Sequence, residues 1–427
     1  MKETRLLNKS NKFIISYYVV MLVVLVIFMR PETSYPLAAR FVYLGMILVP
    51  IYFSPRLIPA VITCFWGVSS IGFNSLLPVN YFLMIAVVLL FLFIYYRSKI
   101  IISHVPWSYI VLFLFTLIIS VLYYDYNQIF LQVLFLFLLL YPFLQSRNDV
   151  FILSLSICIM SFALAIIYLL NFRYFSVNFG QTDYERGAWG NLNVIAGAIS
   201  CGFPISLAVI MGIIKGYKSF LLKVFLTSYM ILISMVLFSA ASRGAIISAS
   251  ISSLFVLFSV RRNLKSKIIV VVVLSFLLLY LYTHGYMDLF IYRLTELDTS
   301  ETVGGRTEIW VTKLTSFFSI DIPTMLLGMG RNNCNNFGIY FSTHNDFVTS
   351  IVAFGFLGFI LFSLFMLKPL FIAHKKKNMP VFALWTFIFL ESIVLEPFFR
   401  GYIPFYSFYI LLLKHVSLQN NTERGSV

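Results

Sequence analysis

Along the chain, long apolar runs alternate with short polar breaks, and no stretch of strict period-two alternation interrupts that rhythm. A helix crossing a bilayer needs about 20 apolar residues, so each run reads as one span. Barrel strands would show apolar and polar residues in strict alternation, which excludes them. The pattern predicts spans near 13–29, 36–53, 57–73, 79–96, 107–124, 128–144, 150–170, 191–213, 219–238, 244–260, 266–283, 345–366, 378–395 and 402–416. Only Ser54, Pro55 and Arg56 separate the second and third, so the expected number is 12 to 14. The first run has no small-residue cleavage site after it and is read as a retained span. The predicted fold class is an all-α integral membrane protein, a single polytopic domain over 1–427.

Basic residues orient the spans, because cytoplasmic loops keep the excess of Lys and Arg. With the N-terminus inside, one side collects Lys2, Arg5, Lys9 and Lys12, then Arg56, then Arg97 and Lys99, then Arg147, then Lys215, Lys218 and Lys223, then Arg261, Arg262, Lys265 and Lys267, then Lys368, Lys375, Lys376 and Lys377, then Lys414 and Arg424. Most of the 31 Lys and Arg fall there, and both termini are expected in the cytoplasm. Two longer connections, 171–190 and 284–344, then face away from the cytoplasm. The second exceeds the usual connection length. It carries a helical pattern of its own, with Ile309, Trp310, Leu314, Phe317 and Phe318 following Gly304-Gly305 and a stop near Asp321, Ile322 and Pro323. An amphipathic helix of this kind lies on a membrane surface or covers a cavity.

Composition supports the same picture: 60% of residues are hydrophobic and 11% charged, outside the range of soluble domains. The net charge of +15 is a topology and anionic-lipid signal, and no nucleic-acid partner is expected. Cys64, Cys158, Cys201 and Cys334 are too dispersed to suggest a disulfide framework or a zinc site. The short cytoplasmic connections hold no Gly-rich phosphate loop, which argues against nucleotide chemistry on that side.

The outer side holds the candidate chemistry. Arginine there runs against the topology signal, and four stand close to span or loop boundaries: Arg186 before Gly190-Asn191-Leu192-Asn193, Arg243 in Ser242-Arg243-Gly244-Ala245, Arg306 at the start of the loop helix, and Arg331 after Gly328-Met329-Gly330. A guanidinium grips phosphate oxygens through two parallel hydrogen bonds, so converging arginines suit a pyrophosphate. Each alone also fits head-group snorkelling or a local salt bridge. Only His284 and His344 face the arginines. His344 lies just before a helix start, where the dipole disfavours imidazolium and leaves a neutral ring able to take a proton. A histidine that merely caps the helix is the plainer alternative. No Asp-x-Asp occurs, and Asp183, Glu185, Asp298, Glu301 and Asp346 are too dispersed to specify a metal, so neither a metal nor another cofactor is expected.

These residues resemble the family of O-antigen ligases and polymerases. The resemblance is carried by Ser242-Arg243-Gly244-Ala245, Gly305-Arg306-Thr307-Glu308-Ile309-Trp310, Gly328-x-Gly330 and His344-Asn345-Asp346-Phe347, in that order and on one side. It implies a membrane glycosyltransferase fold of the GT-C-like kind in a bacterial cytoplasmic membrane. It also implies a polyprenyl-pyrophosphate-linked oligosaccharide as substrate, with membrane lipids and the flippase and chain-length regulators of the same pathway as partners. By resemblance, Arg243 and Arg306 match the family's pyrophosphate-binding arginines, Arg186 and Arg331 match less closely, and His344 matches its catalytic histidine. Trp310, Asn345 and Asp346 would meet the loop or the acceptor. Leu192 stands where the family often has proline, and fourteen spans exceed its usual twelve. The forms of the motifs favour a polymerase of O-antigen or capsular repeat units over a ligase acting on lipid A core. A flippase of lipid-linked sugars is a further class, disfavoured by the lack of an internal repeat.

Overall fold

The computed structural model describes residues 57–69, 85–86, 88–90, 105–124, 129–170, 192–216, 220–240, 242–260, 264–288, 290–291, 306–338, 343–375 and 378–424. The spans expected at 13–29 and 36–53, and most of 79–96, lie outside these residues, as do Arg186, Asn191 and the loop 171–190. Helices are α1 Ile58–Ser69, α2 Trp107–Leu122, α3 Ile129–Leu140, α4 Arg147–Leu170, α5 Leu192–Ser200, α6 Gly202–Ile210, α7 Phe220–Ser239, α8 Arg243–Ser259, α9 Leu264–Thr283, α10 Arg306–Phe317, α11 Ile322–Leu327, α12 Arg331–Asn336, α13 Asp346–Lys375, α14 Met379–Val394 and α15 Ile403–Arg424. There is no strand among the described residues.

The protein is an all-α integral membrane protein. Arg147–Leu170, Asn193–Ile210, Phe220–Ser239 and Asp346–Lys375 are each long and apolar enough to cross a bilayer. Around them the molecule presents Trp107, Ile118, Leu122, Phe220, Leu221, Phe258, Ile268, Phe276 and Leu279 at its surface. An apolar exterior of that extent suits hydrocarbon as solvent.

Inside the bundle, small residues and hydroxyls set the spacing, as expected where lipid supplies no hydrophobic drive between helices. The buried face of α8 is Ala245, Ser248, Ala249, Ser252 and Ser253, and it packs along α14. Ser252 donates to the Ala383 carbonyl at 2.8 Å, and a Cβ on Gly244 would lie 2.6 Å from Val394 Cγ1. On α1, Thr63 meets Ser407 of α15 at 2.7 Å and Cys64 donates to the Ser156 carbonyl of α4 at 3.3 Å.

The sequence predicts an uninterrupted span after His344; the helix is broken instead. Within α13, Gly355 takes φ 67° and ψ −172°, splitting it into 346–354 and 356–375. The gap is filled by the segment Gly328–Gly330. Gly330 N donates to the Ala353 carbonyl at 2.9 Å, Met329 N donates to the Val352 carbonyl at 3.3 Å, and the Tyr123 hydroxyl donates to the Gly328 carbonyl at 2.7 Å. Backbone groups freed by the break are thus satisfied within protein, the condition under which irregular backbone is tolerated at membrane depth. Gly328 (φ 84°) and Gly355 approach so closely that a Cβ on either would lie within 2.4 Å of backbone atoms. Apolar periodicity could not reveal this, since glycine is common in membrane helices.

The loop helix also departs from its expected end. It stops at Phe317, and Asp321-Ile322-Pro323 opens α11: Asp321 is its N-cap, accepting from Thr324 N at 3.1 Å, with proline in the first turn. The pattern read as a stop is a start signal for the next helix.

Candidate active site

The segment joining α14 to α15 organises the site. It is held rigidly from two sides. Asp346, fully buried at the start of α13, accepts from Phe398 N at 3.3 Å and Phe399 N at 3.1 Å. The Phe398 ring sits edge-on to Phe365 and Tyr406, and Phe399 stacks on Phe354 and meets Phe362. These ring contacts hold the segment in place, so the neighbouring side chains are displayed from a fixed frame.

Glu396 is displayed inward, fully buried, with φ 59°. Its Oε1 accepts from Arg331 Nη2 at 2.6 Å and from the Thr349 hydroxyl at 2.6 Å, while Oε2 receives Arg400 Nε at 3.4 Å. Arg331 is buried too, and its Nη1 has no hydrogen-bond partner. Arg400 also reaches His344, its Nη2 lying 3.3 Å from Nδ1. His344 has φ 50°, so His344 and Glu396 both occupy the left-handed region that side chains rarely adopt. Strain of this kind collects at functional sites.

Lys313 of α10 is buried beside this group and donates to the carbonyls of Cys334, Asn335 and Phe337, the open end of α12. Burial lowers its pKa, Cys334 and Glu396 oppose that, and Arg331 adds to it. The Cys334 thiol is pushed up to about 11 by burial, against the pull of Arg331, so it is no thiolate nucleophile at neutral pH. Among the described residues, two guanidiniums and an ammonium therefore gather around Glu396, with Asp346 nearby but bonded to the 398–399 backbone. The surplus charge is positive and suits an anion.

Two more expected residues come close to Val394, the last residue of α14. Arg306 Nη1 donates to the Val394 carbonyl at 3.0 Å, at the negative end of that helix. Arg243 opens α8 next to Gly244, which packs on the same Val394. Trp310 Nε1 donates to the Thr343 carbonyl at 2.6 Å and ties α10 to the residue before His344. Asn345, expected to face the acceptor, has its Oδ1 occupied as the cap of α13, accepting from Phe347 N at 2.9 Å and Val348 N at 3.1 Å. Asp346 is likewise engaged by the 398–399 backbone. His284 stands apart on the exposed end of α9, its Nδ1 2.9 Å from the Tyr280 carbonyl.

Sequence reasoning did not single out Arg400, Lys313 or Glu391. Arg400 carried a readable signal, as an arginine in the short Glu396-Pro-Phe-Phe-Arg400 connection between two apolar helices. Glu391 sits inside α14, fully buried, with neither carboxylate oxygen hydrogen-bonded, and Oε2 lies 3.1 Å from where a Gly197 Cβ would be. An ionisable residue within a span is itself such a signal. Lys313 carried one as well: at helical spacing it falls with Ile309, Trp310 and Phe317, a lysine inside the apolar stripe of α10.

Compared with known families, residues 228–363 match one described as O-antigen ligase, a stretch from within α7 to the second half of α13. The match holds Arg243, Arg306, Arg331 and His344 and stops short of Glu396 and Arg400. No curated protein matches the chain. The finding agrees with the resemblance read from the motifs and supports glycosyl transfer of the O-antigen ligase or polymerase type.

Proposed function

From a chain that carries an O-antigen ligase domain over residues 228–363, we propose a polymerase that joins polyprenyl-pyrophosphate-linked oligosaccharide repeat units on the outer face of a bacterial cytoplasmic membrane. What carries the reading is the surplus positive charge of Arg331, Arg400 and Lys313 around Glu396, with His344 at its edge. In the reaction an acceptor hydroxyl attacks the anomeric carbon of the donor glycan. The new carbon–oxygen bond forms as the bond to the phosphate oxygen breaks, and the polyprenyl pyrophosphate leaves with the electron pair. The acceptor proton passes to His344 and then to water. Arg331 and Arg400 face the leaving pyrophosphate from the Glu396 side, and Arg243 and Arg306 from the end of α14; Arg186, outside the described residues, is a further candidate from its place in the sequence alone. Arginine charge neutralises the leaving group in place of a divalent cation.

An apolar cleft of about 300 Å³ lies along α8 below Arg243, lined by Phe203, Leu237, Ile246, Leu257, Leu274 and Leu277. Its chemistry suits an isoprenyl chain whose pyrophosphate ends among the arginines.

The test is reconstitution with lipid-linked repeat units, alone or with lipid A core, scoring glycosidic bonds formed. Polymer from lipid-linked units alone supports the reading. Transfer only when core is supplied converts it to a ligase, and movement of substrate across the bilayer without bond formation converts it to a flippase. General-base assistance is worth roughly 10²–10⁴ in rate, so His344→Ala should lose about that factor at matched protein level. Turnover close to wild type would move the base to Glu308 or Glu396.

A further inference from the structure

The contact between Arg400 and His344 limits when that histidine can accept a proton. A guanidinium has five N–H donors and no acceptor, so a nitrogen held against it must offer a lone pair. Nδ1 of His344 lies 3.3 Å from Arg400 Nη2, which makes Nδ1 the bare nitrogen and puts the ring proton on Nε2. This is the reverse of the arrangement in which a carboxylate holds Nδ1–H and leaves Nε2 to act as base. The only lone pair of the ring is covered by a cation. Glu396 keeps that cation in place through Nε.

The cover is movable. Arg400 is 24% exposed against 7% for Arg331, so it is the guanidinium of the pair that a ligand can reach. A phosphate carries the negative charge that imidazole lacks and can take two parallel N–H bonds from one guanidinium, so arginine holds it more strongly than a neutral ring nitrogen. A pyrophosphate arriving beside Arg331, whose Nη1 is buried and unpartnered, competes for Arg400 on favourable terms.

We propose that Arg400 is a positioning residue that holds His344 as the Nε2–H tautomer with Nδ1 covered, and that the donor's pyrophosphate arms the base by drawing the guanidinium away. Donor then precedes acceptor, and an empty site does not deprotonate hydroxyls, water included. The inference rests on the reading of His344 as base.

The experiment uses the full chain in lipid nanodiscs with ¹⁵N-labelled histidine, the His344 signals being those lost in His344→Gln. Wild type should show a bare Nδ1 and a protonated Nε2, which resonate far apart. Arg400→Lys, still a pure donor, should keep that tautomer, and Arg400→Gln, which can donate or accept, should give a mixture. Farnesyl pyrophosphate should shift the bare-nitrogen signal in wild type, whereas farnesol should not. A proton on Nδ1 in wild type, or no response once ³¹P signals show farnesyl pyrophosphate bound, overturns the proposal while leaving a base role intact if His344→Ala is inactive. Near wild-type turnover by His344→Ala overturns both the base and its arming.

Discussion

Glu396 holds together charges that would otherwise repel, and its removal separates structure from chemistry. Breaking a buried pair from one side leaves uncompensated charge and costs roughly 3–5 kcal/mol. Glu396→Gln keeps a hydrogen-bond acceptor for Arg331 and Thr349 but removes the compensating charge. We expect a loss of stability of that order in detergent melting, with tighter retention of pyrophosphate by the protein that stays folded. An unchanged melting temperature would show that the pair is not desolvated. Arg306 makes a different prediction. Its Nη1 donates to the Val394 carbonyl at 3.0 Å. If bidentate binding is what matters, Arg306→Lys should reduce turnover nearly as much as Arg306→Ala. Normal polymer length from the lysine variant at normal abundance would show that positive potential suffices.

Helices whose two faces are both apolar were readable end to end: 107–124 appears as Trp107–Leu122, 219–238 as Phe220–Ser239, 244–260 as Arg243–Ser259 and 378–395 as Met379–Val394. Their limits follow from hydrophobic length, which is a one-dimensional property. The break in α13 was unreadable because its cause is three-dimensional, the return of Gly328–Gly330 to the exposed carbonyls of Val352 and Ala353. The half 346–354 is about 14 Å long at 1.5 Å per residue, too short to cross the roughly 30 Å hydrocarbon core alone. It serves instead to present His344, Asn345 and Asp346 at a fixed depth. Gly355→Ala combines a positive φ with a Cβ 2.3 Å from the Leu326 carbonyl oxygen. It should misassemble, read as loss of the monodisperse peak on size exclusion, whereas Ala353→Gly at the neighbouring helical position should keep the peak.

The bundle keeps its two ends chemically distinct. Arg243, Arg306, His344, Glu396 and Arg400 gather at one, and Arg147, Lys215 and His415 line a small cleft at the other. The alternation of spans read from the sequence places these groups on opposite sides of the membrane, and thiol labelling can decide it. All four native cysteines are buried, so a single introduced thiol can be read alone. Glu308→Cys, at an exposed position on α10, should react with a membrane-impermeant maleimide in intact spheroplasts, and Lys375→Cys should react only after lysis. The opposite labelling would invert the topology and with it the proposed location of the reaction. Of the site itself, Arg243, Arg306, Arg331 and His344 were readable because charge beside an apolar run is conspicuous. Arg400 was passed over and the capping of α13 by Asn345 went unread, since neither the pairing of distant loops nor cap geometry is written in spacing.

The seam between Gly330 and Ala353 also bears on biogenesis. The loop strand is synthesised before the half-helix that needs it, so it must double back and wait as a template on which the later segment closes. Until then Val352 and Ala353 carry open carbonyls, a state that a quality-control protease can recognise. The Tyr123 hydroxyl, which holds the Gly328 carbonyl at 2.7 Å, acts on this step from a helix inserted much earlier. Tyr123→Phe should therefore lower the yield of mature protein in pulse-chase more than it lowers the specific activity of the molecules that survive.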